Sequence, residues 1–349
     1  MERKPSKADR EMMARAIEIS RLGYPAPNPH VGCVIVRRGL IVGEGHHEFA
    51  GGPHAEAEAL RQAGDAANGA TVFVTLEPCN HHGRTPPCSD ALLEARVARV
   101  VAACRDPIPK HAGGLERLRA AGVEIEAGFM EDEARAANRA WMTATARESP
   151  FVVVKAAMAL DGRIANARGE SKWITGEEAR AEAHRLRAEC GAVLVGRATV
   201  EADDPRLTVR SIPVVNQPLR IVIDLSRKLQ ASAKVFDDEA PSLRVVSRPA
   251  LEGEIEMPMA DGKADLSALM RELYRRNVTS LLVEGGGHTI GRFLEAGLAD
   301  RLELFVAPKV FGAGVSWAEG DLSGFAQNFE IAKMRPIGND AWISCVPKK

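Results

Sequence analysis

A chain of 349 residues with 45% hydrophobic content is long enough for two globular domains with sizeable cores. Its net charge of −1 supplies no field toward nucleic acid or an anionic membrane, and no apolar run approaches the ~18 residues of a membrane span. The polar, charged start and only six cysteines argue against a secretory leader and a disulfide framework, so a reducing, cytoplasmic setting is expected. Cys33, Cys104, Cys190 and Cys345 lie in or beside apolar runs and read as buried thiols.

Helical spacing marks residues 9–22, where Met13, Ala16, Ile17 and Ser20 share one face. The turn Pro25-Ala26-Pro27-Asn28-Pro29 leads to strand-like runs at 31–36 and 40–42, joined as a hairpin through Arg37-Arg38-Gly39. Residues 44–53 are glycine-rich and hold His46 and His47, and His54 opens an Ala/Glu/Leu-rich helix to about residue 63. A buried strand over 71–76 delivers Glu77-Pro78-Cys79. Helix 89–95, strand 97–104, helix 115–121, strand 123–127 and a long alanine-rich helix over 130–146 follow. Glu148-Ser149-Pro150 reads as a linker, because proline discourages helix in the residue before it. A second pattern then predicts strands at 151–157, 192–195, 220–224, 243–247, 280–283 and 301–307. Helices are expected at 177–189, 266–275 and 289–296, and a closing antiparallel pair at 329–334 and 341–346. Strands alternating with helices predict sheets covered by helices, with ligands gathered at the carboxyl ends of strands.

The densest chemistry lies in His54-Ala55-Glu56, followed by Pro78-Cys79 and, after eight residues, Cys88. One imidazole and two thiolates can hold Zn²⁺ and leave its fourth position for water, as in catalytic rather than structural zinc. Glu56 is close enough to His54 to move protons without being a ligand. Zinc nucleobase deaminases use this set to turn water against a ring carbon that bears an exocyclic amine. A chance histidine with two buried cysteines is the plain alternative. One cysteine leaving a predicted strand and another opening a predicted helix fit a strand-end ligand site better.

These residues sit in longer runs: Pro27-Asn28-Pro29, Ala50-Gly51-Gly52-Pro53-His54-Ala55-Glu56, and an unbroken stretch from Glu77 to Cys88. The second half adds Leu160-Asp161-Gly162-Arg163, Trp173-Ile174-Thr175, Ala202-Asp203-Asp204-Pro205, Val283-Glu284-Gly285-Gly286 and Ala307-Pro308-Lys309. Together they resemble the bifunctional deaminase–reductase family of riboflavin biosynthesis over nearly the whole chain. The resemblance implies an α/β protein, with a cytidine-deaminase-like three-layer α/β/α domain over residues 1–147 and a dihydrofolate-reductase-like α/β domain over 148–349. It implies hydrolytic deamination of a diamino-phosphoribosylaminopyrimidinone in the first domain. In the second it implies NADPH reduction of the ribosyl to the ribityl chain. Zn²⁺, one per chain, and NADPH are the expected cofactors. Small phosphoribosylaminopyrimidines are the expected partners, with no nucleic acid and no membrane, and a homo-oligomer is left open.

By the same resemblance, His54, Cys79 and Cys88 are the metal ligands and Glu56 the proton carrier. Asn28, His47, His81, Arg84 and Asp106 are expected to contact the pyrimidine, ribose or phosphate. Lys155, Asp203 and Glu284 are the catalytic candidates of the second half. Each falls in or just after an apolar strand or turn, where an unpaired charge is costly, so a structural ion pair is the competing reading. Spacing does not separate Asp203 from Asp204, and Asp203 is preferred. Ser171, Arg187, Asp204, Leu207 and Arg210 are grouped as substrate contacts, the arginines as planar forks for phosphate. Cofactor contacts are expected at Ala157, Trp173, Thr175, Gly196, Thr199, Gly285, Gly286 and Gly287. No Gly-x-Gly-x-x-Gly opens this half, which disfavours a Rossmann fold. The three glycines instead follow a predicted strand and precede a helix, where backbone can approach a phosphate closely.

Two positions depart from the family pattern. Asp106-Pro107-Ile108-Pro109 has Ile108 where the family usually has a substrate-contacting Asn, and the glycine-rich stretch after it looks one residue short. Ala159 stands where Ser is common. A reductase with a weakened or altered deaminase half is therefore an alternative. A nucleic-acid-editing or binding protein on the deaminase fold is another. It should show a basic stripe with stacking aromatics, whereas aromatics are 5% and charge is balanced.

Overall fold

The computed structural model describes residues 6–82, 86–260, 263–322 and 328–348. The chain divides into two compact units, Met1–Ala146 and Arg147–Lys349.

The first unit runs α1 (Lys7–Ile19), β1 (Gly32–Arg37), β2 (Leu40–His46), α2 (Ala55–Ala63), β3 (Thr71–Leu76), α3 (Cys88–Glu94), β4 (Arg99–Cys104), α4 (Gly114–Ala120), β5 (Glu124–Ala127), α5 (Glu131–Ala137) and α6 (Arg139–Arg147). Its sheet has the order β2-β1-β3-β4-β5. β1 is antiparallel to both its neighbours, while β3, β4 and β5 are parallel. α1 starts with a capping box between Ser6 and Asp9 and buries Met13, Ala16 and Ile17 against Val34, Val72, Val74 and Val101.

β2 runs past the predicted end at residue 42, through the glycine-rich stretch to His46. The glycines there serve packing. A Cβ at Gly43 would collide with the Ala59 carbonyl, and one at Gly45 with the Ala55 carbonyl. Bare backbone lets α2, which buries Ala55, Ala59 and Ala63, lie directly on the strand. That close approach fixes the helix start that carries His54 and Glu56. The long helix expected over 130–146 is broken at Asn138. Its side-chain oxygen accepts the His30 amide at 2.8 Å, and its side-chain nitrogen donates to the His30 carbonyl at 2.6 Å. Alanine periodicity is silent about such a cross-link.

The second unit contains β6 (Phe151–Ala159), β7 (Arg163–Asn166), α7 (Glu177–Cys190), β8 (Ala192–Gly196), α8 (Arg197–Asp203), β9 (Leu219–Ile223), β10 (Ser242–Val246), β11 (Glu254–Glu256), β12 (Met259–Ala260), β13 (Lys263–Ala264), α9 (Leu266–Arg275), β14 (Ser280–Val283), α10 (Gly287–Glu295), β15 (Arg301–Ala307), β16 (Gly314–Ser316), β17 (Phe329–Ile337) and β18 (Asp340–Pro347). Nine strands form one sheet in the order β11-β10-β9-β8-β14-β6-β15-β18-β17. Strands β11 through β15 in that order are parallel, and β18 and β17 close the sheet antiparallel. The central strands are buried on both faces, as the valine- and leucine-rich runs require. Phe293, Leu269, Leu273, Leu281 and Val154 form the heart of the core. The short elements α8, β7, β11, β12, β13 and β16 have no counterpart among the predicted ones. Cys33, Cys104, Cys190 and Cys345 are all buried and free. Among the described residues, no helix is long and apolar enough to cross a membrane.

Candidate active sites

In the first unit the ends of three elements converge. His54 is the N-cap of α2, Cys79 lies just beyond β3, and Cys88 is the first residue of α3. The ligand atoms of His54, Cys79 and Cys88 all lie within 4.8 Å of one another. His54 Nδ1 stands 3.3 Å from Cys88 Sγ and 3.6 Å from Cys79 Sγ. A tetrahedral zinc with bonds of about 2.0–2.3 Å has ligand–ligand edges of about 3.6 Å, so this donor set fits the ion. The Cys88 amide donates to Cys79 Sγ at 3.4 Å. Hydrogen bonding from the Cys88 thiol, with help from His54, pulls Cys79 down to about 4. Both thiols must lose their protons to ligate a metal, and the pull on Cys79 already runs in that direction.

Glu56, in the first turn of α2, is 3% exposed. Burial pushes its carboxyl up to about 7, opposed chiefly by His54. A carboxyl of this kind beside the donor set can hold and release a proton near neutrality.

Around this centre the expected contacts have distinct fates. His47 is buried, and both its ring nitrogens are engaged. Nδ1 faces the Pro53 carbonyl at 2.9 Å and must donate, so Nε2 accepts from the Asn28 side-chain amide at 2.9 Å. His47 therefore orients Asn28, leaving the Asn28 carbonyl oxygen for another donor. His81 stacks on His111, with ring centroids 4.4 Å apart, and its buried Nδ1 has no partner. Asp106 accepts the Ile108 amide at 2.8 Å, and burial raises its carboxyl above the usual range. Ile108 packs its side chain against the core. Arg84 lies outside the described residues.

Sequence reasoning passed over Glu77 as a functional side chain. It is buried, and its carboxylate accepts the amides of Gly113 at 2.8 Å, Asp106 at 3.2 Å and Leu115 at 3.3 Å. It ties the loop carrying Asp106 and His111 to the strand end that delivers Cys79. Glu77→Gln turns one acceptor oxygen into a donor that faces amides. Losing one charge-assisted bond of about 1.5 kcal/mol corresponds to a roughly tenfold rise in deaminase KM, with zinc content unchanged. Metal analysis beside steady-state kinetics checks this, and an unmoved KM would show that other contacts hold the loop.

In the second unit, Lys155 and Ala157 lie on β6, Gly196 ends β8, and Glu284 follows β14. The side chain of Glu284 is 7% exposed. Arg187 of α7 grips it in a fork, Nε to Oε1 at 2.6 Å and Nη2 to Oε2 at 3.0 Å. Lys155 Nζ stands 3.6 Å from Oε2. Burial alone would raise this carboxyl, but Arg187 and then Lys155 hold it down at about 2. Asp203 accepts from Ser171 Oγ at 3.5 Å. Asp204 is committed elsewhere, to Lys234 Nζ and the Lys234 amide, each at 2.9 Å. The two aspartates that spacing left equivalent are thus distinct, and Asp203 is the one beside Ser171.

Gly286 is the N-cap of α10, and its amide donates to Thr199 Oγ1 at 3.0 Å. Gly287 begins that helix. Gly196 and Gly285 both face Thr289, where a Cβ on either would collide with its side chain. Thr289 was not singled out from sequence, although a small polar residue three after the glycine N-cap is a signal. Trp173 is 66% exposed, with the Arg180 guanidinium 4.7 Å over its ring. Its carbonyl accepts Lys309 Nζ at 2.7 Å. Thr175 is buried, and its carbonyl accepts Arg180 Nη1 at 2.7 Å. Leu207 is buried with φ 56°. Arg210 Nη1 donates to Thr208 Oγ1 at 2.7 Å.

A His/Cys/Cys centre with an adjoining buried carboxyl, in one chain with a second, mainly parallel α/β unit, defines a zinc deaminase joined to another catalytic domain. Residues 6–104 match the cytidine and deoxycytidylate deaminase zinc-binding region, and residues 150–343 match the RibD C-terminal domain. The chain belongs to the RibD family of riboflavin biosynthesis, bifunctional enzymes with a deaminase and a reductase domain. It is 42% identical to the riboflavin biosynthesis protein RibD of Aquifex aeolicus, over 96% of this chain and 97% of that one. It is 40% identical to the protein of the same name from Escherichia coli, over 97% and 99%. The structure superimposes on Acinetobacter baumannii RibD with a TM-score of 0.88 at 38% identity, covering 98% of this chain and 99% of that one. A diaminohydroxyphosphoribosylaminopyrimidine deaminase/5-amino-6-(5-phosphoribosylamino)uracil reductase from Thermotoga maritima superimposes with a TM-score of 0.84 at 36% identity, covering 97% and 98%. These matches favour neither of the two alternatives weighed above.

Proposed function

We propose that the first unit deaminates a diaminohydroxyphosphoribosylaminopyrimidine and that the second reduces the resulting 5-amino-6-(5-phosphoribosylamino)uracil with NADPH, converting its ribosyl to a ribityl chain. The observation that carries this reading is the His54, Cys79 and Cys88 cluster with Glu56 buried at its edge. The domain boundary is proposed at residues 147–148 and the setting as cytoplasmic, with small phosphorylated pyrimidines as the only ligands besides the cofactors.

His54, Cys79 and Cys88 would hold the zinc, which when bound supplies activation of water. Glu56 takes the proton of that water and returns it to the exocyclic nitrogen, which leaves as ammonia. Asn28, held by His47, binds the pyrimidine edge. His81, Arg84 and Asp106 bind the ribose–phosphate side. In the second unit the nicotinamide cofactor, when bound, supplies the hydride. Gly196, Thr199 and the loop Gly285-Gly286-Gly287 would hold it, with Ala157, Trp173 and Thr175 at its nicotinamide side. Lys155, oriented by Glu284, and Asp203 act at the sugar, where the proton that accompanies the hydride is delivered. Ser171 and Leu207 line the sugar and Arg210 faces the phosphate, whereas Arg187, expected as a second phosphate fork, is spent on Glu284 and the Thr208 carbonyl. Asp204, tied to Lys234, supports this loop rather than touching substrate.

The full chain, offered the diamino substrate without NADPH, is expected to release ammonia and accumulate the deaminated product. NADPH addition then gives stoichiometric oxidation. Cys88→Ser is expected to lose most of its zinc and the first step, yet still oxidise NADPH when given the deaminated compound. Full zinc and normal ammonia release in that variant would remove Cys88 from the site.

A further inference from the structure

The segment from Leu207 to Arg210 lies outside every strand, yet its backbone is held at four points by side chains. The Thr208 carbonyl accepts Arg187 Nη1 at 3.1 Å. The Val209 amide donates to Gln217 Oε1 at 2.7 Å, and the Val209 carbonyl accepts Gln217 Nε2 at 3.0 Å. The Arg210 amide donates to His184 Nδ1 at 3.3 Å. The segment begins at Leu207 in the left-handed region, φ 56°, a conformation that a branched residue keeps only when its surroundings impose it. His184 and Arg187 are three apart on α7, so they present neighbouring side chains to it. Arg187 is already committed to Glu284. His184 and Gln217 are left as the groups that fix where Arg210 starts.

We infer that His184 and Gln217 are positioning residues that set the backbone of Arg210, and thereby aim its guanidinium at the phosphate of the reductase substrate. The inference rests on the proposed role of Arg210 as a phosphate fork. A guanidinium binds phosphate well only when its plane is held in register with the oxygens, and both contacts of the Arg210 head group with Thr208, to Oγ1 at 2.7 Å and to the carbonyl at 3.4 Å, go through Nη1. The imidazole nitrogen facing the Arg210 amide must be unprotonated to accept it. Burial first, then the Arg187 and Arg210 charges, push His184 down to about 4, against Glu284 and the Thr208 carbonyl. At neutral pH the ring is therefore uncharged, and the contact takes its tautomer with Nδ1 free of a proton.

The test is steady-state reductase kinetics on the full chain with 5-amino-6-(5-phosphoribosylamino)uracil as the varied substrate. Five variants are compared: His184→Ala, His184→Asn, Gln217→Leu, Arg210→Ala and the double variant of His184→Ala with Arg210→Ala. Loss of one or two hydrogen bonds is expected to raise the substrate KM of His184→Ala and Gln217→Leu by roughly three- to tenfold. kcat and the KM for NADPH should stay within about twofold. Asn carries a carbonyl oxygen near the place of Nδ1, so His184→Asn should recover most of the loss. His184→Ala added to Arg210→Ala should cost nothing beyond Arg210→Ala alone, because the positioned group is gone. Arg210→Ala raising KM while both His184 variants and Gln217→Leu leave it unmoved would overturn the positioning role. An unmoved KM in Arg210→Ala would instead sink the phosphate reading on which the inference rests. Thermal melting of the second unit, followed by Trp173, Trp317 and Trp342 fluorescence in a Trp141→Phe background, reports whether each variant is folded there, and His184→Asn keeps the test open if the alanine variant is not.

Discussion

Glu56→Gln is expected to keep its zinc and lose deamination by about 10²–10⁴-fold, the usual worth of a positioned general acid–base. Glutamine has nearly the same shape, and the site needs no charge at this position to hold the metal, whose donors are His54, Cys79 and Cys88. What glutamine cannot do is accept a proton from water and return it to a leaving amine. The reaction needs both transfers, because ammonia leaves only once its nitrogen is protonated. The Glu56 carboxyl is buried, so bulk buffer does not substitute for it readily. Reductase turnover on the deaminated substrate should be unchanged, since Glu56 belongs to the first unit. Metal analysis, ammonia release and NADPH oxidation on one preparation check all three points. Turnover near that of the parent chain would remove Glu56 from the mechanism.

The zinc centre was legible in the sequence because its chemistry is local. His54 and Glu56 are two apart, and the two cysteines flank one strand-to-helix connection. Each ligand sits where a strand or helix terminates, which residue patterning can find. The Lys155, Arg187 and Glu284 cluster was legible only in part. The sequence marked Lys155 and Glu284 as ionisable residues in apolar surroundings and Arg187 as a fork for phosphate, but not that Arg187 would fork onto Glu284 from a helix 97 residues away. The same limit hid the roles of Glu77, His184, Gln217 and Thr289. Glu77 and His184 fill backbone hydrogen bonds 36 and 26 residues away, while Gln217 acts on nearer backbone through a loop fold and Thr289 through glycine-made space, neither of which residue patterning encodes. His47 shows the converse. The family resemblance suggested a substrate contact, and the structure adds that both its ring nitrogens are engaged, one with the Pro53 carbonyl and one with the Asn28 amide. Element boundaries failed for comparable reasons. The glycines of β2 resemble a loop until α2 is laid against them, and the break at Asn138 falls where its side chain meets the His30 backbone.

Glu284→Gln is expected to abolish most reductase activity and to destabilise the second unit by about 3–5 kcal/mol. The scale is that of removing one partner from a buried charge cluster. Arg187 and Lys155 remain, both largely buried, with their compensating charge gone. The neutral amide can take one hydrogen bond from the Arg187 fork in place of two, and its NH₂ faces donors. The sign of the pH dependence follows from the folded carboxyl sitting at about 2, below an ordinary value near 4.3. A depressed carboxylate contributes stability that is fully present above the unfolded value and is lost as pH falls through the folded one. The parent should therefore exceed the variant in stability throughout neutral pH. The gap should begin to close below about pH 5 and narrow toward about pH 2. At pH 7 a loss of this size in a unit of this length lowers its melting temperature by roughly 10 °C. Three of the four tryptophans, Trp173, Trp317 and Trp342, lie in the second unit and Trp141 in the first, so tryptophan fluorescence in a Trp141→Phe background follows the melting of the second unit. Ammonia release from the deaminase substrate should be unaffected at temperatures where both units are folded. Equal melting of parent and variant at pH 7 would mean that the three side chains are paired with something other than each other.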